Sequence, residues 1–310
     1  MSLNISNCRS ASSPGLKLVD LGTLLLMQLV WGTGLVLSKI AVDAMPPLLF
    51  MTLRFLSISL LLIPFLRWHP GQMVLIALIS LFTGAAHFGL MVTGLALAAD
   101  LTPVAIMTQL GVPFATLLSV VFLRERLGVW RISALALAFC GVMVVGFDPT
   151  VFRYRDALLF VVAGAFTWAV GTIFMRKGGG VPVYDMQAWL SLLAWPPLLA
   201  ASLIFEGSPV GPILNMSWPV ATGLAWMIFG TSLVGHAAYY WIMQRHEVGL
   251  TAPFMLLAPI LSALGGALFL GDVITWRMAI GGALTLAGVL VISLRESRRD
   301  QRGKLAKTPP

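Results

Sequence analysis

The chain has 310 residues, of which 58% are hydrophobic and only 10% charged, and its mean hydropathy is +0.92. A water-soluble domain carries roughly 25% charged residues, so the composition excludes a soluble fold and makes lipid the solvent for most of the chain. The net charge of +8 does not point to nucleic acid, because the basic residues stand in short stretches between apolar runs, where they set membrane orientation.

Residues Met1 to Asp20 are polar and serine-rich and lack the apolar segment of a signal peptide. Residues 1–18 read as a cytoplasmic tail. Spanning the hydrocarbon takes about 20 mostly apolar helical residues, and that ruler finds ten spans. The first five run Val19–Val42, Pro47–Leu66, Val74–Ala98, Pro103–Leu123 and Ile132–Phe147. The second five run Ala157–Met175, Val183–Phe205, Trp218–Met243, Leu250–Leu270 and Met278–Leu294. Turn or charge signals separate them, among them Met45-Pro46-Pro47, Ala99-Asp100, Arg124-Glu125-Arg126 and Asp148-Pro149. The run Gly178-Gly179-Gly180 follows no strand and reads as a flexible connection. Residues 295–310 form a basic tail, expected to be disordered. Short connections leave no room for a soluble catalytic domain.

With the N-terminus inside, fifteen Lys and Arg residues fall on inside segments and four (Lys39, Arg153, Arg155 and Arg277) on outside loops. That bias places both termini in the cytoplasm. The two cysteines, Cys8 and Cys140, lie far apart and have neither metal spacing nor a disulfide framework.

The two sets of five spans resemble each other. Trp31-Gly32-Thr33-Gly34 with Lys39 matches Trp168-Ala169-Val170-Gly171 with Arg176. His87 followed by Leu101-Thr102 matches His236 followed by Leu250-Thr251. Phe122-Leu123-Arg124-Glu125 matches Leu270-Gly271-Asp272, and Gly141-Val142 matches Gly288-Val289. The repeats are residues 19–147 and 157–294. An odd number of spans in each makes the second enter the membrane from the opposite side. Inverted repeats of this kind allow alternating access to a site near the midplane.

At these residues the chain resembles the drug/metabolite transporter superfamily, in particular its EamA-type ten-helix members. The resemblance rests on Trp31-Gly32 with Lys39, Pro46-Pro47 then Arg54, Pro113 followed by Glu125, Pro259 followed by Asp272, and the repeated Gly-Val pairs. It covers residues 21 to 294. It implies an all-α membrane protein of ten helices, built as two inverted five-helix repeats around a central cavity, that exports amino acids or other small metabolites. Among its branches the chain looks most like the bacterial exporters of aromatic amino acids. Asp272 departs from the glutamate that the family commonly has there.

Polar groups inside spans are costly, so each is a functional candidate. They are Gln28, Lys39, Arg54, His87, Gln109 and His236. Arg54 fits either an anchor for a substrate carboxylate or a structural link to helix-end carbonyls or loop acids. Lys39 lies near a helix end, where it can snorkel. His87 and His236 hold equivalent places in the two repeats and could flank a midplane cavity, or be satisfied core residues. Trp31 and Trp168 are repeat-related, with Tyr239 among the further aromatic residues, and Gln109 with Thr108 could bond a polar substrate group. The substrate-binding set is therefore Trp31, Arg54, His87, Gln109, Trp168, His236 and Tyr239. Ala134, Ala138, Gly141, Ala283, Ala287 and Gly288 suit close helix packing. No metal site, cofactor or phosphate loop is expected.

The leading reading is a transporter of a small molecule, amino acids first and aromatic ones above all. Other hydrophobic metabolites or drugs, and an intramembrane enzyme or sensor, are the alternatives. None of the twelve acids lies mid-span, which favours facilitated diffusion over proton exchange through His87 and His236.

Overall fold

The structure, a computed structural model, describes residues 17–124, 128–177, 181–243, 246 and 248–305. The tail before residue 17, Glu125 and the triple glycine at 178–180 lie outside the described residues. Those described fold into helices, with no strand among them. Ten helical stretches run in chain order. They are α1 (Leu18–Val42), α2 (Pro47–Leu61), α3 (Met73–Leu97), α4 (residues 101–123), α5 (Val129–Gly146), α6 (Arg155–Lys177), α7 (Val183–Phe205), α8 (residues 218–243), α9 (residues 248–270) and α10 (Trp276–Leu305). Short helices Pro149–Phe152 and Val210–Leu214 lie in the connections. Among the described residues nine helices are long and apolar enough to cross a membrane.

Two boundaries differ from the sequence reading. α2 closes at Leu61 rather than Leu66 and gives way to a tight turn, Ile63–Phe65. Pro64 has no N–H to continue the α-helical ladder. Fifteen residues rise about 22 Å, short of a roughly 30 Å hydrocarbon core. α10 runs through the expected disordered tail to Leu305. The stretch from Arg295 to Leu305 is polar, but it is rich in Arg, Glu, Gln and Lys, which propagate a helix well.

Packing obeys the internal repeat. α1 packs on α8 and α9, and α6 on α3 and α4; α2 pairs with α7, and α5 with α10. Exchanging the halves leaves this set of pairs unchanged. The likeness reaches single contacts. Gly34 of α1 faces the Thr231 methyl of α8, and Gly171 of α6 faces the Thr83 methyl of α3. The ends of α4 and α9 agree as well, since both Arg124 (φ 53°) and Gly271 (φ 79°) adopt the left-handed conformation.

The tightest pair is α5 with α10. A Cβ on Gly288 would lie 2.6 Å from the Ala134 carbonyl oxygen and 2.7 Å from the Ala138 nitrogen. Gly281, Thr285 and Gly288 make the α10 seam, one helical face at i, i+4 and i+7. Ala283 and Ala287, expected at this seam, instead face outward.

Polar ties fasten the ends. Glu206 after α7 accepts from the backbone N–H of Leu48 (2.7 Å) and Leu49 (3.0 Å) at the start of α2. Beyond the other end of α2, His69 lies 3.1 Å from Asp185 in the first turn of α7. Lys39 donates to the Ala98 carbonyl at 2.8 Å and pairs with Asp43 at 2.5 Å. Asp272 accepts from the N–H and the hydroxyl of Thr102, both at 2.8 Å. It thereby caps the start of α4 with a residue of the other repeat.

Candidate functional site

The helices that could carry a site are irregular at mid-depth. Pro113 cannot donate to the Gln109 carbonyl, and α4 tightens into a 3₁₀ turn at Thr108–Leu110. Pro259 stands in the same relation to Met255, and α9 breaks at Leu256. α3 and α8 are wound into π-turns over Ser80–Ala86 and Trp226–Gly235, each ending at the residue before its repeat-related histidine. Such turns widen a helix by one residue and recur at functional sites.

Next to the irregular parts of α3, α4 and α9 lies a cavity of about 350 Å³. Its wall takes Trp31 and Leu35 from α1, His87 and Met91 from α3, Thr108 and Gln109 from α4, Trp168 from α6, and Pro259 and Ser262 from α9. Both repeats contribute. None of the wall residues carries a formal charge unless His87 is protonated. Broken helices meeting at a midplane cavity are the usual build of a transport site.

Each polar wall group has its own constraint. His87 Nδ1 lies 2.8 Å from the Gly164 carbonyl of α6. An oxygen acceptor requires Nδ1 to carry a proton, so Nε2 is the ring atom left for other partners. Ser262 donates to the Gly32 or Ala258 carbonyl at 3.1 and 3.0 Å. Thr108 donates to the Ala105 carbonyl at 2.8 Å. The Gln109 amide lines the cavity with no protein partner among the described residues, so it can offer a donor and an acceptor together.

Four of the seven expected site residues thus share the wall: Trp31, His87, Gln109 and Trp168. Arg54, His236 and Tyr239 are not on it. His236 and Tyr239 pack behind Trp31, with ring centroids 5.9 and 5.8 Å from its indole. His236 Nδ1 returns to the Ser232 carbonyl one turn back, at 3.0 Å. The two histidines therefore do not face one space as a catalytic pair would.

Arg54 is buried, 3% exposed. Its guanidinium donates to Ser232 Oγ and lies over the rings of Phe88 (4.8 Å) and Phe55 (5.4 Å). It has no acidic partner among the described residues. Sequence reasoning missed Ser262 and Met91 on the wall. Ser262 had a faint signal in its place one turn after Pro259, and Met91 had none.

Comparison with known proteins agrees with this architecture. The EamA-like transporter family matches residues 21–147 and 156–294, one match per repeat. A Salmonella typhimurium protein named "Probable amino-acid metabolite efflux pump" is 25% identical over 276 residues, 86% of this chain and 92% of its own length. The Escherichia coli protein of the same name is 26% identical over 275 residues, with the same coverage. A "Probable terminal-alkyne amino-acid exporter" of Streptantibioticus cattleyicolor is 28% identical over 202 residues, 63% of this chain and 64% of its own. One solved crystal structure has a TM-score of 0.59 and 23% identity, covering 91% of this chain and 99% of that one; it shares the fold.

Proposed function

The chain belongs to the EamA-like transporter family, and from that premise we propose that it exports amino acids, aromatic ones above all, by alternating access across a bacterial plasma membrane. The observation that carries the reading is the wall of the central cavity, where two repeat-related indoles accompany neutral hydrogen-bonding groups. A zwitterionic amino acid has no net charge to desolvate, but its two ionised ends need hydrogen bonds in a dry site. The Gln109 amide, His87 and the wall hydroxyls supply them. Trp31 and Trp168 offer aromatic faces, which favour a ring-bearing side chain. The cavity volume is at the small end of ligand sites, sized for a single metabolite. The names of the efflux relatives point the same way.

In this reading Trp31, His87, Gln109 and Trp168 touch substrate, while Arg54, His236 and Tyr239 support them. The short α2 counts as the tenth span, the two repeats are inverted, and both termini are cytoplasmic, as the Lys and Arg bias of the loops requires. A periplasm-dependent reporter fused after Leu305 is then inactive. With no charged residue on the wall, movement is facilitated diffusion down the substrate gradient.

The test is a panel of labelled amino acids and other hydrophobic solutes presented to proteoliposomes. Tryptophan, tyrosine or phenylalanine moving fastest supports the reading. Movement of other hydrophobic solutes with no amino acid moving replaces it. An imposed pH gradient with equal substrate on both sides gives no accumulation if transport is uncoupled.

A further inference from the structure

The two repeats are alike in sequence and pairing, yet their equivalent side chains make unlike choices. Trp31 lies on α8. A Cβ on Gly235 would come within 2.5 Å of its Nε1, and His236 and Tyr239 flank it. Trp168, its counterpart, lies on α4. A Cβ on Gly111 would come within 2.8 Å of Trp168 Cε3 and 3.1 Å of Cζ3. Each tryptophan helix packs on one helix of the α3/α8 type and one of the α4/α9 type. Each indole therefore has two seats within reach, and the two indoles occupy seats of different type.

The histidines show the same split by independent contacts. His87 reaches across to the Gly164 carbonyl of α6. The counterpart of Gly164 on α1, at the offset that relates Trp168 to Trp31, is Met27. His236 does not cross to α1 but bonds back to Ser232 on its own helix.

We propose that Gly111 and Gly235 are positioning residues that seat the two wall tryptophans in this state, and that the indoles exchange seat types when the cavity turns to the other side. The inference rests on alternating access by the two repeats, as read above. When inverted repeats trade conformations, Trp31 moves to α9 in the turn before Pro259, and Trp168 moves to α3 at Ala86 and His87. His236 then crosses to the Met27 carbonyl, and His87 turns back to Thr83.

The seats are not equal, which sets a resting preference. Both present seats are glycines. The counterparts at the proposed seats are Ala86, matching Gly235, and Leu257, matching Gly111 by their common spacing from Pro113 and Pro259. Each carries a Cβ where the present seat has none. The state seen here is therefore the favoured one without substrate. It is closed at the end where α1 finishes, with Val36 buried against Gly265 and Lys39 tied to Ala98.

The test uses the full chain in lipid nanodiscs, with Cys8 and Cys140 changed to serine and Ser38→Cys as reporter for a soluble maleimide, since Ser38 is 2% exposed and its counterpart Met175 is 39% exposed. Gly111→Ala and Gly235→Ala crowd the present seats, and Ala86→Gly clears the other one. All three are expected to speed labelling roughly tenfold, the scale of an overpacking cost. Adding Trp31→Ala to Gly235→Ala removes the crowded ring and returns the rate to that of Trp31→Ala alone. Unchanged labelling in Ala86→Gly at wild-type thermal stability overturns the proposal, and so does a Gly235→Ala effect that survives loss of Trp31. Labelling needs no substrate. A protein that shows these rates but moves no amino acid loses the substrate assignment and keeps the seats.

Discussion

Arg54 of the first repeat donates two N–H groups to the single hydroxyl of Ser232 in the second, at 3.4 Å from Nε and 3.1 Å from Nη2. Among the described residues this buried cation also meets the Met51 sulfur at 3.8 Å and two aromatic faces. Ser232 hands its own proton to the Met227 carbonyl at 2.8 Å, so its lone pairs remain for the guanidinium. The α2–α8 contact is thus a cation held by one hydroxyl and by ring quadrupoles.

Removing that hydroxyl strands a charge. Ser232→Ala is expected to lower stability by about 1.5–3 kcal/mol, the worth of a hydrogen bond to a charged group. Thermal unfolding in detergent measures it, and an unchanged midpoint would mean that the rings and Met51 suffice. Arg54→Ala is expected to cut transport while the chain still inserts. Arg54→Lys should not restore it, because an ammonium lacks the planar fork. Normal transport by Arg54→Ala would leave Arg54 a packing role alone.

The wall indoles should matter more for ring-bearing solutes than for others. Trp31→Ala and Trp168→Ala are each expected to lower kcat/KM for aromatic amino acids roughly tenfold, about 1.4 kcal/mol, with a smaller loss for aliphatic ones. Equal losses on both classes would show that the indoles shape the cavity without reading the side chain.

One acid outside the spans gives a pH signature. Burial pushes the Asp148 carboxyl up, but hydrogen bonds from Thr150 and Thr275 and the charge of Arg277 outweigh it and hold the group below the ordinary carboxylate value. A lowered folded pKa adds stability above the unfolded value of about 3.9 and loses it as pH falls toward the folded one. Thr275→Val removes the 2.6 Å bond to Asp148. The melting temperatures of wild type and variant should differ most above about pH 4 and converge in more acid solution. A gap that widens on acidification would contradict the assignment.

The α5–α10 seam sets a contrast between two glycines. At Gly288 a Cβ meets backbone atoms of Ala134 and Ala138 that cannot yield, so Gly288→Ala should cost about 1–3 kcal/mol or more. At Gly22 a Cβ meets nothing within 4 Å, and Gly22→Ala should be neutral or gain up to about 1 kcal/mol of helix propensity. Parallel melts of the two variants check both. A mild Gly288→Ala would mean that α5 and α10 can separate freely.

The helices were legible because lipid demands long apolar runs, and those runs stop at prolines and charges. The missed boundaries have local causes: Pro64 ended α2 early, and helix-forming polar residues extended α10. On the cavity wall, Trp31, His87, Gln109 and Trp168 stood out as aromatic or polar groups at depth, three of them repeat-related. Arg54 stood out for the same reason and lies elsewhere, because sequence shows the depth of a residue but not the direction it faces. The π-turns before His87 and His236 left no trace in residue type, since an i→i+5 ladder uses the same amino acids as an α-helix. The breaks at Thr108–Leu110 and at Leu256 fall about one turn before Pro113 and Pro259, whose missing N–H groups account for them.

The carboxylate of Glu206 closes the first amides of α2, and that has a consequence for synthesis. Leu48 leaves the ribosome well before Glu206, with the rest of α2 and five further helices made in between. Until then the first amide groups of the nascent α2 lack the carboxylate that closes them in the folded chain. A chain stopped at Phe147 would hold all five helices of its repeat and still lack this cap. The second helix to be made is among the last to be completed, because its cap comes from the second repeat.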